Sequence, residues 1–382
     1  MYGAHRTYMK IGIDARMYGP RNAGLGRYIE QLIEQLKYLD DEHEYVIFLK
    51  QESFDAFQLP NQTWKKVLAD VSWYGWKEQL FMPSILRQEH IDLMHFPHWN
   101  VPILYRKKFV VTIHDLIMFH FSRKEATTHG SLVYFLKDQL HRFLVRSVAR
   151  RASSIFTTSE YTKQDIVKTL RIELKKIHVT YQAPFLNNEQ RATSNEQVVS
   201  LFGIKKPYVL YVGNAYPHKN LERLVQAWNI VEQEAPGYQL VFAGKDSVFY
   251  ENIKKSTQAL KHSSTVVFTG YVSDEELGAL YENADLSVFP SLYEGFGLPP
   301  LEAMAHGVPV VSSNASCLPE VLGEAALYFD PESIDDMALA IIEGIRNEDI
   351  RYTMRQNAKE ELKRYSWKRC AEQMLNVYTT LV

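Results

Sequence analysis

Glu294 and Glu302 bracket the segment Gly-Phe-Gly-Leu-Pro-Pro-Leu, which follows an apolar run and opens a helix through Pro299 and Pro300. Glycines let the backbone of Gly295, Phe296, Gly297 and Leu298 come close to a ligand. N–H groups exposed at a helix start favour an anion such as a pyrophosphate. The two carboxylates add acceptors for hydroxyl groups. One precedes the helix and the other lies about one turn inside it, so they reach different parts of one extended ligand: a hexose on one side, a ribose on the other. A glycine-rich turn with two solvated glutamates would carry the same letters.

A second segment separates these readings. Val212-Gly213-Asn214-Ala-Tyr-Pro-His218-Lys219-Asn220 again follows a strand pattern and precedes a helix, with Lys219 at the boundary. There Lys219 can meet a phosphate beside helix-end amides. No Asp-x-Asp occurs in the sequence, so no divalent cation can be held in that way. Fixed protein charge is expected to stabilise a leaving diphosphate, and a metal site is not expected.

The first half offers weaker signals. Gly24-Leu-Gly26-Arg27 precedes a helix without forming a Gly-x-Gly-x-x-Gly fingerprint, and Arg27 fits a surface or a site. Thr112-Ile-His114-Asp115 ends a strand and puts His114 at its carboxyl edge. Ser159-Glu160 fits a helix cap as well as a binding edge. His95 and His98 stand at a metal-like spacing but lack a third ligand nearby. His98, Trp99 and Asn100 present an aromatic face and polar edges that suit an acceptor sugar, and suit loop packing equally.

These residues need elements to position them. Lys10–Asp14, Glu44–Leu49, Asp92–Phe96, Phe109–Ile113, Ser154–Thr158 and Ile177–Tyr181 read as strands. Gly26–Leu39, Lys77–Glu89, Ser131–Arg151 and Thr162–Leu170 carry helical periodicity. A polar segment, Asn187–Gln197, reads as a linker. A second series follows, with strands at Tyr208–Val212, Gln239–Ala243, Val266–Thr269, Leu286–Phe289 and Val308–Ser312 and helices near 220–235, 274–284 and 299–306. Strands separated by helices imply two α/β doubly wound parallel domains, whose ligands sit outside the carboxyl ends of the strands and, for two such domains, in a cleft.

Composition agrees with such a chain. Its 382 residues exceed what one core usually supports. Cys317 and Cys370 suggest neither a disulfide framework nor zinc, which fits a cytoplasmic setting. No apolar run approaches a membrane span, and the first nine residues do not read as a signal peptide. Residues 1–185 hold 26 basic and 19 acidic side chains, whereas the remainder is acidic. Arg142, Arg146 and Arg150 recur every four residues on a helix that also bears Leu132, Leu136, Leu140 and Leu144. Such an edge fits anionic lipid headgroups at the inner face of the cell membrane, or plain solvent. The overall pI argues against nucleic acid.

The Glu-x7-Glu of Glu294 to Glu302, the Lys219-Asn220 pair, Ala284-Asp285, Gly307-Val-Pro-Val-Val311 and Leu318-Pro-Glu320-Val-Leu-Gly323 together resemble the retaining glycosyltransferases of family 4, the glycosyl transferases group 1. The chain is similar over nearly its whole length to bacterial polysaccharide mannosyltransferases. The resemblance implies a GT-B fold: an acceptor-side Rossmann-like domain over 1–185, completed by a C-terminal helix at 366–382, and a nucleotide-sugar-binding one over 186–365. It implies that Glu302 binds the ribose, Glu294 the donor sugar, the amides of Gly295 to Leu298 sugar and diphosphate, and Lys219 the diphosphate. Gly24 and Gly26 would lie near donor phosphate or acceptor, and His114 beside the donor sugar. Many relatives carry arginine where this chain has Asn214, which would leave Lys219 as the main phosphate cation. The implied reaction moves a hexose from a nucleotide-sugar to a saccharide or lipid-linked acceptor in surface polysaccharide synthesis, without a cofactor. GDP-mannose is the first donor candidate, with UDP- and dTDP-sugars open. The alternatives are an epimerase on the same fold and a GT-B subunit that binds without catalysing.

Overall fold

The computed structural model describes residues 8–121, 131–185, 196–259 and 265–381. The chain divides into two compact units, one of Met1–Leu116, His129–Gln182 and Ser366–Val382, the other of Ile117–Thr128 and Ala183–Tyr365. Most of the expected linker Asn187–Gln197 lies outside the described residues; its last two residues begin the helix Glu196–Leu201.

The first unit is built on strands β1 (Lys10–Asp14), β2 (Glu44–Leu49), β3 (Trp64–Leu68), β4 (Leu93–Phe96), β5 (Phe109–Thr112), β6 (Ser154–Thr157) and β7 (Ile177–Val179), in the order β3-β2-β1-β4-β5-β6-β7. The second holds β8 (Tyr208–Val212), β9 (Gln239–Ala243), β10 (Val266–Gly270), β11 (Leu286–Phe289), β12 (Val310–Ser313) and β13 (Ala326–Phe329), ordered β10-β9-β8-β11-β12-β13. Neighbouring strands pair in parallel throughout. Central strands are covered on both faces, which is why β8 reads Tyr-Val-Leu-Tyr-Val instead of alternating. In each sheet the winding reverses once, between β1 and β4 and between β8 and β11. The loops leaving those strands flank a crevice at the switch point.

Two strands escape the sequence pattern, β3 and β13, and both are sheet edges. β3 carries Lys65 and Lys66, as edges do to avoid further pairing. The expected strand Val308–Ser312 starts at Val310, since Pro309 has no N–H to give a ladder. Ser159 is a helix cap: its Oγ accepts from the Thr162 amide at 3.1 Å.

The helix Trp367–Thr380 belongs to the first unit, where Met374 and Tyr378 are buried. Tyr378 OH lies 2.6 Å from His95 Nδ1, and His95 Nε2 lies 2.9 Å from Thr112 Oγ1. His95 is thus part of a core hydrogen-bond chain that continues from Thr112 Oγ1 to Tyr28 OH at 3.0 Å.

The helix Ser131–Arg151 has the expected bounds. Leu136 and Leu140 face solvent, and Arg142 Nε donates to Asp138 Oδ2 at 2.7 Å. The side chain of Leu132 lies outside the described residues. Among the described residues no helix is long and apolar enough to cross a membrane.

Candidate active site

The loops leaving β8 and β11 are stitched together at the switch point of the second unit. After β8 the chain passes Gly213 and Asn214 and makes a 3-10 turn, Pro217–Lys219, that ends on Asn220 in the left-handed region at φ 61°. Asn220 Nδ2 donates to Pro290 O at 3.1 Å and to Pro331 O at 2.7 Å. The Leu292 amide donates to His218 O at 2.8 Å. This frame holds Lys219 Nζ 2.5 Å from Glu294 Oε1 and 5.2 Å from the centre of the Phe289 ring. Lys219 is 8% exposed and Glu294 7%, so each charge relies on the other for what water would otherwise supply.

Glu294 is fixed by its backbone as well. Its amide donates to Ser316 Oγ at 2.9 Å, and its carbonyl accepts from Cys317 Sγ at 3.2 Å. Three residues on, Gly297 takes φ 90° and starts the helix Leu298–Ala305. A Cβ there would both strain the backbone and stand 2.9 Å from Leu318 Cδ2. Pro299 and Pro300 fill the next two positions and lack N–H groups, so within the first three helical residues only Leu298 can offer an amide to an anion. Phe296 turns its ring onto Tyr365 at 5.5 Å, leaving its backbone as the part available to a ligand. Glu302 is 9% exposed, and Tyr281 OH stands 3.5 Å from its Oε2. Burial, with the Glu302 charge added, drives the Tyr281 hydroxyl well above its usual pKa and keeps it a donor.

Gly213 sits at φ 151° with its carbonyl accepting from Tyr250 OH at 2.8 Å, and a Cβ would lie 2.8 Å from Tyr211 OH. Asn214 is exposed and accepts the Tyr216 amide at 3.2 Å, which closes a short turn.

In the first unit the helix starts at Ala23, three residues before the expected Gly26, so Gly24 as well as Gly26 lies in the first turn of Ala23–Leu39. The chain Met17–Gly19 crosses over this turn, so a Cβ at Gly26 would come 2.0 Å from Gly19 O, whereas one at Gly24 would meet nothing within 4 Å. His114 Nε2 lies 2.9 Å from Pro97 O. A carbonyl only accepts, so the proton is on Nε2, and Nδ1 accepts from Gln182 Nε2 at 3.3 Å. Burial lowers the His114 pKa to about 4, against the raising effect of the Pro97 contact, and the ring is neutral at pH 7.

Sequence reasoning missed a charged hub at the carboxyl end of β1. Arg16, two residues past β1, donates to both Asp14 oxygens at 2.8 and 2.7 Å, to Glu78 Oε1 at 2.6 Å and to Val71 O at 3.2 Å. Glu78, 0% exposed, also takes the Asn100 amide at 2.7 Å. Asp14, Arg16, Trp73, His98 and Asn100 line one recess at the β1/β4 switch point. Trp99 packs between Tyr74 and His141, with ring centres 5.5 and 4.4 Å away. Among the described residues no group of three or more His, Cys, Asp or Glu is placed to hold a metal.

Residues 23–183 match the family model described as Glycosyltransferase Family 4, and residues 194–361 the one described as Glycosyl transferases group 1. The chain belongs to glycosyltransferase family 4. Over 94% of its length this glycosyltransferase is 28% identical to an O-antigen chain mannosyltransferase B of Escherichia coli, 96% of which is covered. In fold it is similar to a sucrose-phosphate synthase from Thermosynechococcus elongatus, with a TM-score of 0.75 at 18% identity over 98% of this chain and 99% of that one. It is similar also to the Anabaena protein HepE solved with UDP and glucose, with a TM-score of 0.74 at 18% identity over 97% and 100% of the two chains. The family 4 glycosyltransferase thus has the GT-B fold.

Proposed function

We propose that this glycosyltransferase moves mannose from GDP-mannose to a saccharide or lipid-linked acceptor in the cytoplasmic assembly of a bacterial surface polysaccharide, with retention at the anomeric carbon. The observation that carries the reading is the buried Lys219–Glu294 pair at the β8/β11 switch point, with Glu302 about one turn inside the helix Leu298–Ala305. The mannosyl donor rests on the name of the Escherichia coli relative.

In this reading an arriving diphosphate takes Lys219 as its counter-charge, and Glu294 is released to accept hydroxyls of the donor sugar. Glu302 accepts from the ribose, and the amides of Gly295 to Leu298 meet sugar and diphosphate. Gly213 and Asn214 border the diphosphate, while Gly24 and Gly26 lie near phosphate or acceptor. The acceptor oxygen bonds to the anomeric carbon from the face that the diphosphate leaves, the bond to the phosphate oxygen breaks, and that oxygen takes the acceptor proton. Charge stabilisation by Lys219 carries the step. His114, neutral with its ring nitrogens occupied, acts as a fixed polar group near the donor sugar and not as a proton carrier. His98, Trp99 and Asn100 serve the acceptor.

A thermal-shift panel of GDP-, UDP- and dTDP-sugars tests the donor: a ligand at a hundred times its Kd stabilises by about 2.7 kcal/mol. GDP-mannose is expected to give the largest shift, and acceptor-dependent transfer an axial product bond by NMR. A larger shift with another nucleotide-sugar overturns the mannosyl assignment. Conversion of donor without acceptor overturns transfer.

A further inference from the structure

Tyr74 stands on backbone that most side chains avoid. It lies between β3 and the helix Trp76–Gln88 with φ 59°, in the left-handed region that favours glycine. Such strain persists only where the surroundings enforce it. Here Glu78 enforces it: Oε2 accepts the Tyr74 amide at 2.9 Å, while Oε1 accepts from Arg16 Nη2 at 2.6 Å and Asn100 Nδ2 at 2.7 Å. The strained residue is therefore tied to the charged hub at the β1/β4 switch point. The ring held in this way is 61% exposed. The fold draws no packing from most of it, so the strain serves what the ring meets from outside.

The ring borders the recess of the hub. Its centre is 6.2 Å from that of His98 and 5.5 Å from that of Trp99, and the preceding residue, Trp73, lines the recess with Asp14, His98 and Asn100. His98 Nδ1 is buried, and among the described residues it has no hydrogen-bond partner. A buried polar atom in that state calls for a group from outside. An aromatic face beside a polar recess fits a pyranose, whose C–H face packs on rings while its hydroxyls hydrogen-bond at the edge. Carboxylate, amide and imidazole together offer the donors and acceptors that a hydroxyl uses. An anion would instead meet the carboxylates of Asp14 and Glu78, with Arg16 already engaged by both. Ring and recess lie side by side, so they hold two neighbouring sugars. We infer that Tyr74 is a specificity residue for the acceptor: the recess takes a hydroxyl of one pyranose and the Tyr74 ring takes the face of the next, so the glycosyltransferase selects a saccharide at least two units long. The inference rests on the proposed transfer to a saccharide and narrows that acceptor to the end of a chain already begun.

Tyr74→Gly removes the ring and suits the left-handed backbone, while Tyr74→Phe keeps the ring; both are expected to melt close to wild type. Initial rates with methyl α-mannoside, α-mannobiose and α-mannotriose as acceptors test the inference. In the wild type, KM for mannobiose is expected to be about tenfold below that for the methyl mannoside, with little further gain for mannotriose. Tyr74→Gly is expected to erase this difference by raising KM for the longer acceptors, and Tyr74→Phe to retain it. Equal KM for all three acceptors in the wild type, or an unchanged preference in Tyr74→Gly, overturns the inference. So does a Tyr74→Gly variant that melts far below wild type, since the ring is then a packing residue. Calorimetric titration of the full chain with mannotriose, without any nucleotide-sugar, separates the inference from the proposed reaction. Wild type is expected to bind and Tyr74→Gly to bind about tenfold more weakly, whether or not transfer is seen. No binding, or equal binding by both, overturns the inference and leaves the donor assignment standing.

Discussion

Lys219 Nζ stands 2.5 Å from Glu294 Oε1, which joins the loop after β8 to the loop after β11 across the switch point of one sheet. Each buried charge has the other as its partner. Its members are not interchangeable with neutral residues one at a time, because removing either leaves the other buried and uncompensated.

Lys219→Ala is therefore expected to lower the melting temperature by the equivalent of about 3 kcal/mol and to lower kcat/KM about a hundredfold or more. Adding Glu294→Gln to it should restore much of the stability and none of the activity. Thermal melts and initial rates of the single and double variants check this, and equal melts for both would show that the pair is not coupled.

Glu302→Ala is expected to weaken nucleotide-sugar binding by about tenfold or more, the worth of a charge-assisted hydrogen bond. Calorimetric titration of the donor is the measurement. Retained affinity would remove Glu302 from the ribose.

Gly24 and Gly26 separate structure from function. Gly26→Ala must displace the chain at Gly19 and is expected to lower the melting temperature by several degrees. Gly24→Ala has open space and should melt like wild type. If a phosphate or acceptor approaches Gly24, turnover falls all the same, and an unchanged rate would take Gly24 out of the site.

Stability should decline on the acid side because three histidines are buried neutral. Burial lowers His114 to about 4, and His95 and His98 to about 3, the last two also disfavoured by neighbouring histidine charge. A histidine depressed from its unfolded value near 6.5 contributes stability that is fully present above that value and is lost as pH falls through the folded pKa. Each adds a slope of up to about 1.4 kcal/mol per pH unit between those limits. Melts between pH 7 and 4 should fall steeply in the wild type and less so in His98→Asn. Parallel curves would show that His98 is not buried neutral.

The placement of Lys219 and Glu294 was legible because each follows a strand: Lys219 comes after β8 and Glu294 after β11, and strand ends are recognisable from local apolar runs. What local patterns cannot convey is pairing at a distance. Glu78 reads as one acidic residue on an amphipathic helix, and only the fold brings it under Arg16, 62 residues earlier in the chain. The edge strands β3 and β13 were missed for a related reason, since an edge has less apolar cover to advertise it.

The helix Trp367–Thr380 has a consequence for the order of synthesis. It supplies Tyr378 to His95, 283 residues earlier, and Met374 to Tyr28, 346 residues earlier. A ribosome delivers those earlier strands first and the second unit next. The first unit thus waits for this helix before its core can close, while the unit that carries Lys219 and Glu294 has all its strands in hand sooner.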